Sequence, residues 1–177
     1  VIWLGIDPGK HGAIAVIDGS DVCIHPIPLI TATKGKGRDE YDLVGIRDLI
    51  EDLAQRVSRH PANRESIFVT VERSQAFPAK MRGGIANYHR GVARGWEWML
   101  VALRIPYQLV APATWMRLMH AGTPGQDTKQ RSKIAAQRLF PEVNLKRTDR
   151  SRVVDHNLCE ALLIAEFGRR IQGGGSR

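Results

Sequence analysis

The sequence predicts an α/β fold: a mixed five-stranded sheet flanked by helices. Three observations predict it. The first thirty residues contain three apolar runs divided by short turns, the pattern of an antiparallel meander. Two later runs, I-F-V-T-V at 67–71 and Y-Q-L-V at 107–110, are separated by long stretches of helical periodicity. Strand–helix–strand units pair in parallel through right-handed crossovers, so one side of the sheet is antiparallel and the other parallel.

Each element follows in order. Residues 1–6 form a strand, with Ile2, Leu4 and Ile6 apolar, and Asp7-Pro8-Gly9 turns the chain. Ala13 to Ile17 is the second strand, Asp18 to Asp21 a turn, and Val22 to Leu29 the third strand. Thr31 to Glu40 is a polar loop rich in Gly and Lys. Leu43, Ile46, Leu49, Ile50, Leu53 and Val57 mark an amphipathic helix, with Asp42 as its cap. The β-branched run at 67–71 is a buried central strand. A long helix covers Ala86 to Arg104, with Val92, Trp96, Met99, Leu100 and Leu103 along one side. Tyr107 to Val110 is a strand, Ala113 to Met119 a short helix, and Asp127 caps a helix from Thr128 to Leu139. The last helix spans Leu158 to Ile171. A single domain is expected over residues 1–171, with 172–177 as a flexible tail.

Composition narrows the function classes. Hydrophobic residues make up 43% of 177, which suits a globular protein, and no apolar run is long enough to span a bilayer. No signal peptide is recognisable, and without an initiator Met residue 1 need not be the natural start. Cys23 and Cys159 lie far apart without metal-ligand spacing and read as free thiols, which favours a reducing compartment. The net charge of +8 favours a polyanionic partner, most simply nucleic acid.

Two buried strands each end on an acid, Asp7 and Glu72. A carboxylate at the end of a buried strand is costly unless something pairs with it, and a metal ion is one such partner. For Asp7 the alternative is plain turn chemistry. If the strands are parallel neighbours, both acids emerge at the C-terminal edge of the sheet, where open α/β sheets place their sites. The segment V-V-D-H-N-L-C-E-A-L-L-I-A-E-F-G at 153–168 adds Asp155, His156 and Glu160 at the entrance of the last helix. Asn157 is the expected cap there, with Glu160 completing an Asn-x-x-Glu box. Residues 155 and 160 differ by about 140° around a helix, so they meet at one site only if Asp155 precedes it. Four carboxylates from three elements suit a two-metal nuclease, in which hard Mg²⁺ ions take oxygen ligands.

Here the sequence resembles a known family. G-I-D-P-G at 5–9, V-E-R at 71–73 and the D-H-x-x-x-E-A-L-L-I-A pattern at 155–165, in this order, are similar to the RuvC-like Holliday-junction resolvases, in the branch of phages, some bacteria and plastids. The resemblance implies a ribonuclease-H-like fold, a homodimer, Mg²⁺ (with Mn²⁺ as a substitute) and paired symmetric nicks across a four-way DNA junction. It implies catalytic roles for Asp7, Glu72, Asp155, His156 and Glu160, with metal held by Asp7, Glu72, Asp155 and Glu160. Bacterial members carry an acid or a His three residues before the final acid. That position is Asn157 in this chain, and either Asp155 or His156 takes over its role. The expectation is Asp155 on the metal and His156 beside the scissile phosphate. The setting implied is the cytoplasm of a bacterial or phage-infected cell, or an organelle nucleoid.

The basic residues follow the same reading. Lys10 stands in the first turn, and Arg73, Lys80 and Arg82 lie in a Gly-containing loop after Glu72. Phe77 in that loop is either a wedge inserted at the junction centre or a core side chain. Arg90 lies opposite the apolar stripe of its helix, which is wide enough for core and dimer interface together. Lys129, Arg131 and Lys133 precede the acid-bearing helix, and Lys146, Arg147, Arg150 and Arg152 lead into it. Solvated charge is the ordinary explanation of such runs. Clustering at both flanks of that helix favours phosphate contact.

Two other function classes compete. An actin-like or kinase-type phosphotransferase shares the opening strand and Asp, but needs phosphate-binding glycine turns and a second similar domain that are not visible. A non-catalytic junction-binding protein on the same fold is opposed by intact acids at all three places. A nuclease of the same fold acting on other branched DNA or RNA is the remaining alternative.

Overall fold

The computed structural model describes residues 1–31, 39–57, 67–73 and 83–174; residues 56, 57, 83–90 and 93 are described by backbone alone. The elements are β1 (Ile2–Asp7), β2 (Ala13–Asp18), β3 (Asp21–Pro26), β4 (Leu29–Ile30), β5 (Glu40–Tyr41), α1 (Leu43–Val57), β6 (Ile67–Glu72), α2 (Gly83–Ala102), β7 (Tyr107–Val110), α3 (Pro112–Met119), α4 (Thr128–Leu139) and α5 (His156–Gly173). The main sheet has five strands in the order β3-β2-β1-β6-β7. β1–β2 and β2–β3 are antiparallel, while β1–β6 and β6–β7 are parallel. This is the mixed sheet that the meander and the two crossovers predict.

Side-chain alternation divides the core into two layers. Ile2, Leu4, Ile6, Ile14, Val16, Ile67, Val69 and Val71 pack against α1 and α2 through Ile46, Ile50, Leu53, Trp96 and Leu100. Ala13, Ala15 and Ile17 belong to the opposite layer, with Trp115 of α3, Ala135 and Ala136 of α4, and Leu158 to Phe167 of α5. α5 is buried on nearly all sides from Leu158 to Gly168. It lies directly on β1, where a Cβ added at Gly5 would stand 2.2 Å from the Ala161 carbonyl oxygen and 2.2 Å from the Ala165 nitrogen. Only glycine permits that approach.

Several boundaries differ from the sequence reading. The third strand stops at Pro26, and Leu29–Ile30 pairs instead with Glu40–Tyr41 in a small separate ladder. Proline cannot donate to a ladder, so Pro26 and Pro28 interrupt the run. α2 begins at Gly83 rather than Ala86 and ends at Ala102 rather than Arg104. Arg104 takes a left-handed conformation, φ 56°, while Arg104 N–H bonds the Val101 carbonyl and Ile105 N–H the Leu100 carbonyl. Such bonds close off a helix end. Asp42 and Asp127 cap α1 and α4 as expected, accepting from Gly45 and Gln130 N–H at 2.8 Å each.

The cap of α5 is a correction. Asp155, not Asn157, caps the helix, accepting from Asn157 N–H at 2.8 Å. Glu160 closes no capping box, because its carboxylate bonds Ser132 Oγ on α4. α5 also continues to Gly173, past the expected end at Ile171. Cys159 is buried and Cys23 is exposed, and the two are not joined in a disulfide. Among the described residues no helix is long and apolar enough to cross a membrane.

Candidate active site

The register of the central strands builds the site. β1 and β6 pair in parallel from Ile2–Ile67 to Ile6–Val71, so Asp7 and Glu72 are the next residues along. Both therefore leave the sheet at the same C-terminal edge. Alternation puts them on the face of Trp3 and Phe68, whose rings lie 5.8 Å apart, the face that α5 covers. α5 brings the third acid. Glu160 immediately precedes Ala161, the residue whose backbone rests on Gly5, two positions before Asp7.

The electrostatics show that these acids act on one another. Burial pushes Glu72 up to about 7, and the Asp7 charge adds to the rise. Burial also raises Glu160 to about 7, helped by the charges of Asp7 and Glu72. Asp7 is raised, chiefly by burial, against the Gly9 amide and the Arg147 charge. Asp7 Oδ1 accepts from Gly9 N–H at 3.1 Å, so the turn role and the place in the acid cluster coexist. Each glutamate also has one specific donor: Trp115 Nε1 to Glu72 Oε2 at 2.7 Å, and Ser132 Oγ to Glu160 Oε1 at 3.2 Å.

Asp155 differs from the other three. Its Oδ1 caps α5 and its Oδ2 accepts from Arg147 Nε at 2.5 Å. Burial would raise it, but Arg147 and the Asn157 amide outweigh burial and hold it below its ordinary value. Arg147 also donates to the His11 carbonyl, tying the segment before α5 to the turn after β1. His156 is half-buried, and burial followed by the Lys129 charge lowers its pKa.

A hard divalent cation suits this donor set by chemistry: three half-buried carboxylates that destabilise one another and no soft ligand among them. Among the described residues, no group of three or more His, Cys, Asp or Glu side chains is gathered as a ready metal-binding set. The acids converge, but with one oxygen of each glutamate and both oxygens of Asp155 engaged by protein donors.

The basic residues separate. The charges of Lys129 and Lys133 act on His156, and that of Lys129 also on Glu160, so Lys129 borders the acids and Lys133 the start of α5. Arg131, between them on α4, donates to the Gly125 carbonyl at 3.1 Å. Lys10 donates to the Asp39 carbonyl. Arg73 is exposed just beyond Glu72, with its backbone N–H on the Val110 carbonyl at 2.8 Å. Phe77, Lys80 and Arg82 lie outside the described residues, and Arg90 is placed on α2 by its backbone alone.

Sequence reasoning missed Trp115, His120 and Ser132, and saw Arg147 only as part of a basic run. Their signals were weak. Trp115 reads as core by periodicity, and only the rule that a buried indole N–H seeks an acceptor points further.

No protein-family model matches the chain, and no curated protein matches it. Solved structures do. Thermus thermophilus RuvC in complex with a Holliday junction substrate matches over 99% of this chain and 97% of that chain, at 15% identity and a TM-score of 0.55. The fold is RuvC-like. A second T. thermophilus RuvC structure matches over 97% of both chains, at 15% identity and a TM-score of 0.46. The RuvC-like fold is the ribonuclease-H-like architecture that the motifs imply, and its sheet carries Asp7 and Glu72 on adjacent central strands.

Proposed function

We propose that this chain is a Mg²⁺-dependent endonuclease that resolves four-way DNA junctions by paired symmetric nicks, acting as a homodimer. The observation that carries this reading is the convergence of Asp7, Glu72 and Glu160, from β1, β6 and α5, at one edge of a RuvC-like sheet. The T. thermophilus protein of the same fold was solved with a Holliday junction substrate, which supports that substrate class here. The motifs at 5–9, 71–73 and 155–165 support placement in the phage, bacterial and plastid branch.

Asp7, Glu72 and Glu160 would hold the cation. Bound there, a divalent ion supplies charge neutralisation and an activated water for phosphodiester hydrolysis. Asp155 completes the ligand set once Arg147 releases its Oδ2, and Arg147 is then free to meet a phosphate. Lys129 and Lys133 steer the backbone toward the acids, and His156, which feels the charges of both lysines and of Asp155, assists proton transfer or contacts the scissile phosphate. Arg73, Lys10 and the loop residues Phe77, Lys80 and Arg82 are further DNA contacts on this reading, as is Arg90.

The test is incubation with synthetic four-way junctions, with Mg²⁺ and with EDTA. Paired nicks at symmetric positions only with metal are expected. Asp7→Asn and Glu72→Gln should each abolish cleavage while leaving junction binding equal or tighter, because repulsion between acids and phosphates falls. Near-parent nicking by either variant removes the central claim. Metal-independent binding without any cleavage by the parent favours the non-catalytic junction-binding alternative.

A further inference from the structure

The α3 segment connects to both glutamates of the acid cluster, to one directly and to the other through Ser132 of α4. Trp115, fully buried, donates its indole N–H to Glu72 Oε2 at 2.7 Å. At the end of the same helix, His120 Nε2 lies 3.1 Å from Ser132 Oγ, which donates to Glu160 Oε1 at 3.2 Å. Ser132 has one proton; given to Glu160, it leaves the hydroxyl to accept from His120 Nε2–H. The Trp115 and His120 rings meet edge-on at 5.5 Å, so the two routes form one packed unit. Ser132 is fully buried and His120 nearly so, which keeps water from substituting for either bond.

We infer that Trp115, Ser132 and His120 are positioning residues, fixing the carboxylates of Glu72 and Glu160 so that one oxygen of each is held by protein and the other is presented to a divalent cation. The inference rests on the proposed nuclease reading and deepens it. A carboxylate on a free rotor would sample many orientations, and each bond removes that freedom before the cation arrives. Outer hydrogen-bond partners of metal-ligating side chains commonly change affinity ten- to a hundredfold when removed.

The variants are Trp115→Phe, which keeps a ring and loses the donor, and Ser132→Ala, which loses the hydroxyl. Met119→Leu is the control for packing: it is equally buried on α3 and makes no bond to an acid. Mn²⁺ binding is measured by electron paramagnetic resonance, without DNA, alongside melting temperature and single-turnover cleavage of a four-way junction. Trp115→Phe and Ser132→Ala are each expected to weaken Mn²⁺ binding about ten- to a hundredfold. Their cleavage should recover in part at high Mn²⁺, with junction affinity unchanged. Met119→Leu is expected to lower melting temperature alone. Folded Trp115→Phe and Ser132→Ala proteins with parent Mn²⁺ affinity overturn the inference. If Met119→Leu weakens Mn²⁺ binding as much as they do, the effect is packing and the inference also falls. Glu72→Gln separates the two levels. When it abolishes Mn²⁺ binding and cleavage while Trp115→Phe and Ser132→Ala change neither, only the positioning role fails. When the parent binds no Mn²⁺, the nuclease reading fails and the positioning role with it.

Discussion

Glu72 and Glu160 keep their protons in the folded chain up to about pH 7, whereas free glutamates ionise near 4.5. Between those values the folded state binds more protons than the unfolded one, so stability falls as pH rises. The destabilisation is absent below the unfolded value and fully developed above pH 7. A shift from 4.5 to about 7 corresponds to roughly 3 kcal/mol per glutamate, and the two are not additive because they share Asp7. Metal-free protein is therefore expected to melt higher at pH 5.5 than at pH 8. Glu160→Gln should shrink that difference and melt above the parent at pH 8. Mg²⁺ should raise the parent's melting temperature at pH 8 more than at pH 5.5. Melting curves over pH check all three, and a Glu160→Gln curve that tracks the parent at every pH contradicts the assignment. At this scale Asp7 and Glu72 were legible as candidates, because an acid closing a buried strand stands out, and Glu160 as an acid near the entrance of an apolar helix. Their partners were not. Trp115 and Ser132 meet Glu72 and Glu160 across 43 and 28 residues of chain, and no local pattern encodes such pairings.

Among the elements, the strands were read best where apolar and β-branched residues run unbroken, as in β2 and β6. They were read worst where two prolines divide an apolar run, at Pro26 and Pro28. The start of α5 shows a different limit. Asp155 and Asn157 are both good caps by propensity. What selects Asp155 is Arg147, whose guanidinium holds the second carboxylate oxygen. The end of α2 offers a test of the same kind of local reasoning. Arg104 is exposed and left-handed, a conformation that costs a non-glycine residue about 1–2 kcal/mol. Arg104→Gly removes that strain, partly offset by the greater freedom of glycine in the unfolded chain. A net gain of about 0.5–1 kcal/mol is expected, read as a melting temperature higher by a few degrees. A lower melting temperature would show that the arginine side chain contributes more than the turn costs.

For the whole molecule, the layered core was implied by the order of strands and helices, but the division of labour on α2 was not. Trp96 is core at 4% exposure, whereas Trp98, two residues on, is 73% exposed beside Val101. Near Trp96, Tyr41, Ile46, Val92 and Met99 line an apolar groove of about 550 Å³ between α1 and α2. On the hypothesis that paired nicks need two sites related by a two-fold axis, this side of the molecule is where a second copy would sit. The protein should sediment at about twice 19.7 kDa. Trp98→Glu should shift it toward monomer and separate the two nicks in time. Sedimentation velocity at micromolar concentration, with junctions assayed for simultaneous against single nicks, checks this. A parent that remains monomeric with and without DNA counts against the paired mechanism.

The contact of α5 with Gly5 has one more consequence. Where two elements touch through side chains, a population of rotamers absorbs small errors, and the gap between them drifts as the interior is repacked. Where main chain meets main chain there is nothing to adjust. The joint between β1 and α5 acts as a rigid gauge block, with Asp7 two residues beyond it on one side and Glu160 adjacent to it on the other. Substitutions elsewhere in the two core layers should thus change how readily the chain unfolds far more than they change the spacing of these two acids. The separation of the acids is an inheritance of the backbone, shielded from most of the sequence that surrounds it.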